Sequence, residues 1–264
     1  MFTVLGASGY VGSHLVAHLR SCGYPVWAPA RGDVEIFSRP LGHVFYCVGL
    51  TADFRTRPFE TVEAHVGFLA DVLQRAQFES LLYLSSTRVY MGGSSTQEDA
   101  PLTVCPAEPA HLYNLSKLAG ESLCHASGRP GVRVVRLSNV VGPDMEPTSG
   151  NFIASLLNGA RMGHIFLQSS LESTKDYIHV NDVMEGLLLI AVKGCSSIYN
   201  LASGKNTTHK EWMHWMVQNF GCDFSVELNA PVQHFPEIEV GKMEKEFGFC
   251  ARSELDFRTV SIKK

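Results

Sequence analysis

The segment Gly6-Ala7-Ser8-Gly9-Tyr10-Val11-Gly12, set directly after the apolar run Phe2-Thr3-Val4-Leu5, constrains this fold more than any other feature. The run is short and continuous, so it reads as a buried parallel strand, and His14-Leu15-Val16-Ala17-His18-Leu19 beyond the turn has helical spacing. Strand, glycine turn and helix form the opening unit of a doubly wound α/β sheet. In such a unit Gly6 permits the tight turn, Gly9 lets the backbone approach a pyrophosphate, and Gly12 lets the helix pack closely on the strand. The helix start, with Ser8, Tyr10 and Val11, then faces the negative charge. The spacing is G-x-x-G-x-x-G, wider by one residue than the commoner fingerprint, and an ordinary tight turn can share it.

Two later segments complete a site. Tyr113 and Lys117 in Tyr113-Asn114-Leu115-Ser116-Lys117 are four residues apart, so a helix puts them on one face. A phenol titrates near 10, and exchanging protons at neutral pH requires roughly 4 kcal/mol of stabilisation of its anion. The Lys117 ammonium and a positively charged nicotinamide would supply it. Leu81-Leu82-Tyr83-Leu84-Ser85-Ser86-Thr87-Arg88-Val89-Tyr90 reads as an apolar strand ending in hydroxyls, at the strand end where α/β sheets place ligands. Ser86 there can hydrogen-bond the oxygen that Tyr113 protonates. Each segment alone has an ordinary structural reading; jointly they fit one site in order.

These segments resemble the extended short-chain dehydrogenase/reductases, specifically the NAD(P)-dependent epimerase/dehydratase group that modifies sugars on nucleotide carriers. Arg136-Leu137-Ser138-Asn139-Val140-Val141-Gly142-Pro143 is similar to the family segment after its sixth strand. Lys175-Asp176-Tyr177-Ile178-His179-Val180-Asn181-Asp182-Val183 is similar to its Arg-Asp-Tyr-Ile-His-Val-Asp-Asp-Val stretch, and Tyr199 to Gly204 to its last sheet strand. The resemblance implies a Rossmann-type doubly wound parallel sheet with a small discontinuous substrate-binding cap. Its boundaries are expected at 1–142 and 176–202 for the dinucleotide domain, and 143–175 and 203–264 for the cap.

Composition narrows the partners. The net charge of −4, with no basic run, argues against nucleic acid or an anionic membrane surface. No apolar stretch reaches the roughly 18 residues of a membrane span, and a first strand at Phe2 leaves no room for a signal peptide, which predicts a cytoplasmic protein. The seven cysteines form no C-x-x-C pair, so neither zinc nor a disulfide framework is indicated, and no metal is expected. The resemblance also implies pairing of two copies through the helix carrying Tyr113.

Along the rest of the chain, Pro25 to Ala30 reads as the second strand and Val44 to Gly49 as the family's fourth. Asp33-Val34-Glu35-Ile36-Phe37 reads as a remnant of the third, with its crossover helix reduced to a turn. By resemblance, Asp33 and Val34 lie by the adenine, and Gly49 and Leu50 beside the cofactor. The end of the second strand selects between cofactors: an acid there favours NAD, an arginine NADP. Arg31 favours NADP, with NAD the alternative because Asp33 lies close and Arg31 also suits a solvated loop.

Phe59 to Leu73 is predicted as one helix, with His65 where the family usually has asparagine, either near the nicotinamide or packing in the helix. Members that eliminate water carry Asp-Glu where this chain has Thr87 and Arg88, so dehydration is not expected. Thr87 and Arg88 become candidate sugar contacts, Arg88 for the ring or a carboxylate on it. Asn139, Asn151 and Lys175 are further substrate candidates; Asn151 also suits a helix N-cap, and Lys175 replaces an arginine expected to meet phosphate. Thr208-His209-Lys210-Glu211 has the form of a capping box before an apolar Trp212, Met213 and Met216 stripe. The expected activity is NADP-dependent reduction of a keto group on a nucleotide-linked sugar. A C4 epimerase with tightly held NAD uses the same residues, and a non-catalytic dinucleotide-sensing regulator is the reading from another class.

Overall fold

The computed structural model describes residues 1–50, 53–147, 149–252 and 260–262. In chain order the elements are β1 (Phe2–Leu5), α1 (Tyr10–Ser21), β2 (Val26–Trp27), β3 (His43–Tyr46), α2 (Pro58–Val62), α3 (Phe68–Arg75), β4 (Ser80–Ser86), α4 (Leu112–Ala126), β5 (Val132–Leu137) and β6 (Asn139–Val141). There follow α5 (Phe152–Arg161), β7 (His164–Leu167), β8 (Thr174–His179), α6 (Val180–Lys193), β9 (Ile198–Leu201), β10 (Asn206–Thr208), α7 (His209–Phe220), β11 (Asp223–Val226) and α8 (Gly241–Phe247).

A six-stranded sheet in the order β2-β1-β3-β4-β5-β9 is parallel throughout. Its strands are apolar on both sides because helices cover both faces. On one face α1 and α6 bury Leu15, Leu19, Val183 and Leu187 against Val4, Phe45 and Leu82. On the other, α3 and α4 bury Leu69, Val72 and Cys124 against Val44, Leu81 and Val134. This is the Rossmann-type α/β fold. From β1 the chain goes to β2 on one side and to β3 on the other, and the switch point between β1 and β3 opens a crevice at the carboxyl ends.

The short second strand departs from expectation. Pro25 and Pro29 bracket it, and only Val26 and Trp27 join the ladder. The expected third-strand remnant is instead a 3₁₀ turn, Val34–Phe37, whose start is capped by Asp33 accepting the Glu35 N–H at 3.0 Å. The connection from β2 to β3, which lie parallel to β1 on its two sides, thus crosses over with this 3₁₀ turn in place of a helix. The helix expected over 59–73 is also interrupted: a five-residue π segment, Glu63–Gly67, separates α2 from α3. Two sheet tyrosines use carbonyls in this widened turn, Tyr46 Oη donating to Ala64 at 2.6 Å and Tyr83 Oη to His65 at 3.2 Å.

A second apolar cluster joins α5 and α7 to β7, with Trp212, Met213 and Met216 inside it. The capping box forms at the start of α7: Thr208 Oγ1 accepts the Glu211 N–H at 3.1 Å, and Glu211 accepts the Thr208 N–H at 2.6 Å. A three-stranded sheet, β10-β8-β6, links this cluster to that under α1 and α6, Tyr177 of β8 packing in the one and Ile178 in the other. Buried Asp176 on β8 accepts N–H bonds from Ser203 and Gly204 at 3.0 and 2.7 Å, so this motif residue fastens the exit of β9. Met243 and Phe247 of α8, although in the tail assigned to the cap, pack against the six-stranded sheet.

A buried polar network fixes α4 on the sheet. Arg136 on β5 donates to Glu121 at 2.7 and 3.0 Å, and Ser85 donates to the same carboxylate at 2.5 Å. Arg136 also donates to Tyr90 Oη at 2.7 Å, and Tyr90 donates onward to Asn200 on β9. Glu121→Ala leaves Arg136 buried without its carboxylate and is expected to destabilise the protein by about 3–5 kcal/mol. Urea unfolding reads this as a lowered midpoint; an unchanged midpoint would show that the pair does not hold the helix.

Candidate active site and cofactor cleft

At the switch point the glycine turn is dictated by crowding. Gly6 has φ 83°, and a Cβ there would come within 2.8 Å of the Cys47 carbonyl and Val48 nitrogen that follow β3. A Cβ at Gly12 would lie 2.3 Å from the Gly6 oxygen, so any side chain pushes α1 off the turn. Around Gly9 the space is open, with no contact nearer than 3.5 Å. The first turn of α1 has neither a capping side chain nor an acidic residue. Its free N–H groups and positive dipole end therefore remain available to an anion.

A cleft of about 370 Å³ begins at this turn and runs past the ends of β3, β4 and β5. Gly9, Tyr10, Val11, Gly12 and Gly49, the first four from the glycine turn and the start of α1, line one side of it. Ser86, Thr87, Arg88, Tyr113, Lys117, Asn139, Asn151 and Lys175 line the remainder. Expected residues outside that lining are Gly6, Ser8, Arg31, Asp33, Val34 and Leu50. Arg31 is exposed, and the Asp33 carboxylate is occupied as a cap. Asn151 Oδ1 caps α5 by accepting from Ile153 and Ala154, while Asn139 donates to the Asp176 carbonyl at 2.8 Å. Phe235, also lining the cleft, carries no sequence signal; it lies in an irregular tail and reaches the site only through the fold.

Tyr113 is buried, which raises its pKa, while a hydrogen bond from Ser86 and the charge of Arg88 oppose that rise. The Arg88 guanidinium lies 5.8 Å from the Tyr113 ring centroid. Lys117, expected to act on the phenol, instead donates to the Leu84 carbonyl at 2.8 Å. Burial lowers the Lys117 pKa to about 7, although Glu121 pulls it back up. Thus Arg88 is the cation set against Tyr113.

His65 has a defined tautomer. Ser116 uses its one hydroxyl proton on the Tyr113 carbonyl at 2.9 Å, so toward His65 Nδ1, at 2.8 Å, it must accept. Nδ1 therefore carries the proton, and Nε2 is a bare acceptor, buried and without a partner. Burial, with Lys117 adding to it, lowers the His65 pKa to about 2 and keeps the ring neutral. A Cβ on Gly49 would come within 3.0 Å of Nε2 and 3.4 Å of Lys117 Nζ, so the bare glycine leaves both atoms accessible at one point. An uncapped helix start followed by an acceptor and an ammonium fits a dinucleotide, whose phosphates and ribose hydroxyls complement them.

Residues 2–202 match the NAD dependent epimerase/dehydratase family. The chain belongs to this family. It is 28% identical over 237 residues to the GDP-6-deoxy-D-mannose reductase of Pseudomonas aeruginosa, covering 79% of this chain and 76% of that one. Curated relatives of the family include nucleotide-sugar reductases, dehydratases and epimerases. Among solved structures, MoeE5 in complex with UDP-glucuronic acid and NAD has a TM-score of 0.79 at 24% identity, covering 96% of this chain and 94% of its own. RMD from Pseudomonas aeruginosa complexed with NADPH has a TM-score of 0.75 at 21% identity, with coverages of 96% and 94%. Among the described residues no helix is long and apolar enough to cross a membrane.

The buried Lys117 has a testable linkage. Its folded pKa, about 7, lies below the ordinary 10.5, so between those values the unfolded chain binds more protons and the Lys117 contribution to stability rises with pH. Lys117→Met removes the cost of burying the ammonium. Its stability gain over the parent should be largest at and below pH 7 and shrink toward about pH 10. Denaturant midpoints of both cofactor-free proteins across this range give the difference; a pH-independent difference would refute the buried-ammonium assignment.

Proposed function

We propose that the chain is an NADP-preferring oxidoreductase that reduces a keto group on a nucleotide-linked sugar. The observation that carries this reading is the pairing of Ser86 with Tyr113 in a cleft whose lining, among the described residues, contains no aspartate or glutamate. Removing water across a sugar ring needs a carboxyl acid and base on the ring. Hydride transfer needs only a proton donor at the oxygen and a group that orients it. The similarity to a GDP-6-deoxy-D-mannose reductase supports the same choice.

A bound nicotinamide dinucleotide supplies the hydride. Its pyrophosphate fits the first turn of α1, and its ribose hydroxyls fit Lys117 and His65 Nε2. Ser86 orients the substrate oxygen, and Tyr113 gives it the phenol proton as the carbonyl becomes an alcohol. Arg88 stabilises the phenolate left behind, and Lys175 meets the carrier phosphates as a point charge. Arg31 supports NADP, as does Arg39, whose guanidinium stacks 4.4 Å from the Trp27 ring at the end of β2.

Tyr113→Phe should lower kcat by about 10²–10⁴-fold while leaving NADPH affinity near that of the parent; full turnover would overturn the assignment. Protein denatured directly after purification should release little nicotinamide on chromatography, and titration should favour NADPH over NADH. Near-stoichiometric release of NAD would make the C4 epimerase the better reading.

A further inference from the structure

Three cations line the cleft among the described residues, Arg88, Lys117 and Lys175. The proposed reaction places Lys117 toward the cofactor ribose and Lys175 toward the carrier phosphates, while Arg88 stands beside the reacting ring. The Arg88 backbone is held on both sides: its N–H donates to Ser86 Oγ at 3.2 Å, and its carbonyl accepts from Asn114 Nδ2 at 3.1 Å. Its side chain ends differently. The guanidinium lies 5.3 Å from the Phe54 ring centroid, and Nε is buried without a hydrogen-bond partner.

Arg55 lies 4.6 Å from the same Phe54 ring. Neither arginine is in an ion pair with a described carboxylate. Burial and Arg55 both disfavour the charged form of Arg88, and Arg88 in turn disfavours the charge on Lys175. An assembly of like charges with an unpartnered donor inside it is relieved by an anion. The phosphates of the carrier already have Lys175. The anion that satisfies Arg88 must therefore be close to Ser86 and Tyr113, on the sugar that reacts.

We propose that Arg88 recognises a carboxylate on the sugar ring, so that the substrate is a nucleotide-linked acidic sugar. This rests on the nucleotide-sugar reading above. A sugar hydroxyl could occupy Nε, but it would leave the charge unanswered; a carboxylate meets the guanidinium fork with two parallel hydrogen bonds. Arg55, exposed next to it, adds attraction at longer range.

The test compares ligands that differ in this one group: UDP-glucuronate with UDP-glucose, and GDP-mannuronate with GDP-mannose. Each is titrated calorimetrically into the full chain with NADPH present. The acidic member of at least one pair should bind about tenfold more tightly or better. Arg88→Gln should abolish that preference by bringing the acidic member down to the affinity of its neutral counterpart, and Arg88→Lys should restore part of it. Equal binding of acidic and neutral members by the parent overturns this inference alone. So does an equal loss of both in Arg88→Gln, which marks a structural role. Failure of all four ligands to bind the NADPH-loaded protein overturns the nucleotide-sugar reading and this inference with it.

Discussion

The Glu121–Arg136 pair holds α4, the helix that carries Tyr113 and Lys117, in register with the sheet. Both side chains are buried, with relative exposures of 4% for Arg136 and 5% for Glu121, and the charges stand 2.7 Å apart. Desolvating two such groups offsets much of their attraction, so the pair is not by itself a large source of net stability. Its effect is positional. Glu121 also holds Ser85 at 2.5 Å, and Ser86, the next residue of β4, hydrogen-bonds Tyr113. Tyr113 and Glu121 lie on the same helix, eight residues or roughly two turns apart. A slip of α4 along the sheet would therefore break the ion pair and the Ser86–Tyr113 contact together. Arg136 extends the constraint through Tyr90 to Asn200 on β9, so the strand following the site is tied to the same anchor.

What could be read in the sequence was local. The glycine turn was legible because crowding at Gly6 and Gly12 demands missing side chains, and such a demand leaves its mark on consecutive residues. Tyr113 and Lys117 were legible because helical spacing alone puts them on one face, and the capping box at Thr208 because it closes within one turn. The third-strand remnant was misread because Val34, Ile36 and Phe37 are apolar enough for a strand. The Asp33 cap instead turns the segment, and Ile36 alone of the four residues 34–37 is buried. The π segment was illegible for the opposite reason: its widened turn depends on Tyr46 and Tyr83 reaching in from the sheet. The direction of the Lys117 ammonium was likewise set by tertiary structure, through the Leu84 carbonyl.

The charge of the chain and the charge of its cleft have opposite signs. The whole sequence carries −4, yet the ionic side chains lining the cleft are Arg88, Lys117 and Lys175. Segregation of this kind favours dianionic and trianionic ligands over neutral ones and speeds their arrival. It also explains why burial alone does not disable Lys117. Burial lowers its pKa to about 7, and a polyanion bound in the cleft would raise it again by favouring the ammonium. The proton is thus held most firmly when the cleft is filled.

His65 shows how the same site tolerates a change of residue without a change of sign. An asparagine at this place, as in the resembling family, offers a carbonyl oxygen; a protonated histidine would add a fourth cation beside Lys117. The structure avoids that outcome in two ways. Burial holds the imidazole neutral, its pKa lowered to about 2, and the Ser116 hydroxyl, already committed to the Tyr113 carbonyl, forces the remaining proton onto Nδ1. The lone pair on Nε2 then faces the gap at Gly49, where an amide oxygen would offer the same acceptor. The tautomer and the glycine gap are therefore parts of one accommodation, in which a basic residue serves as a neutral hydrogen-bond acceptor.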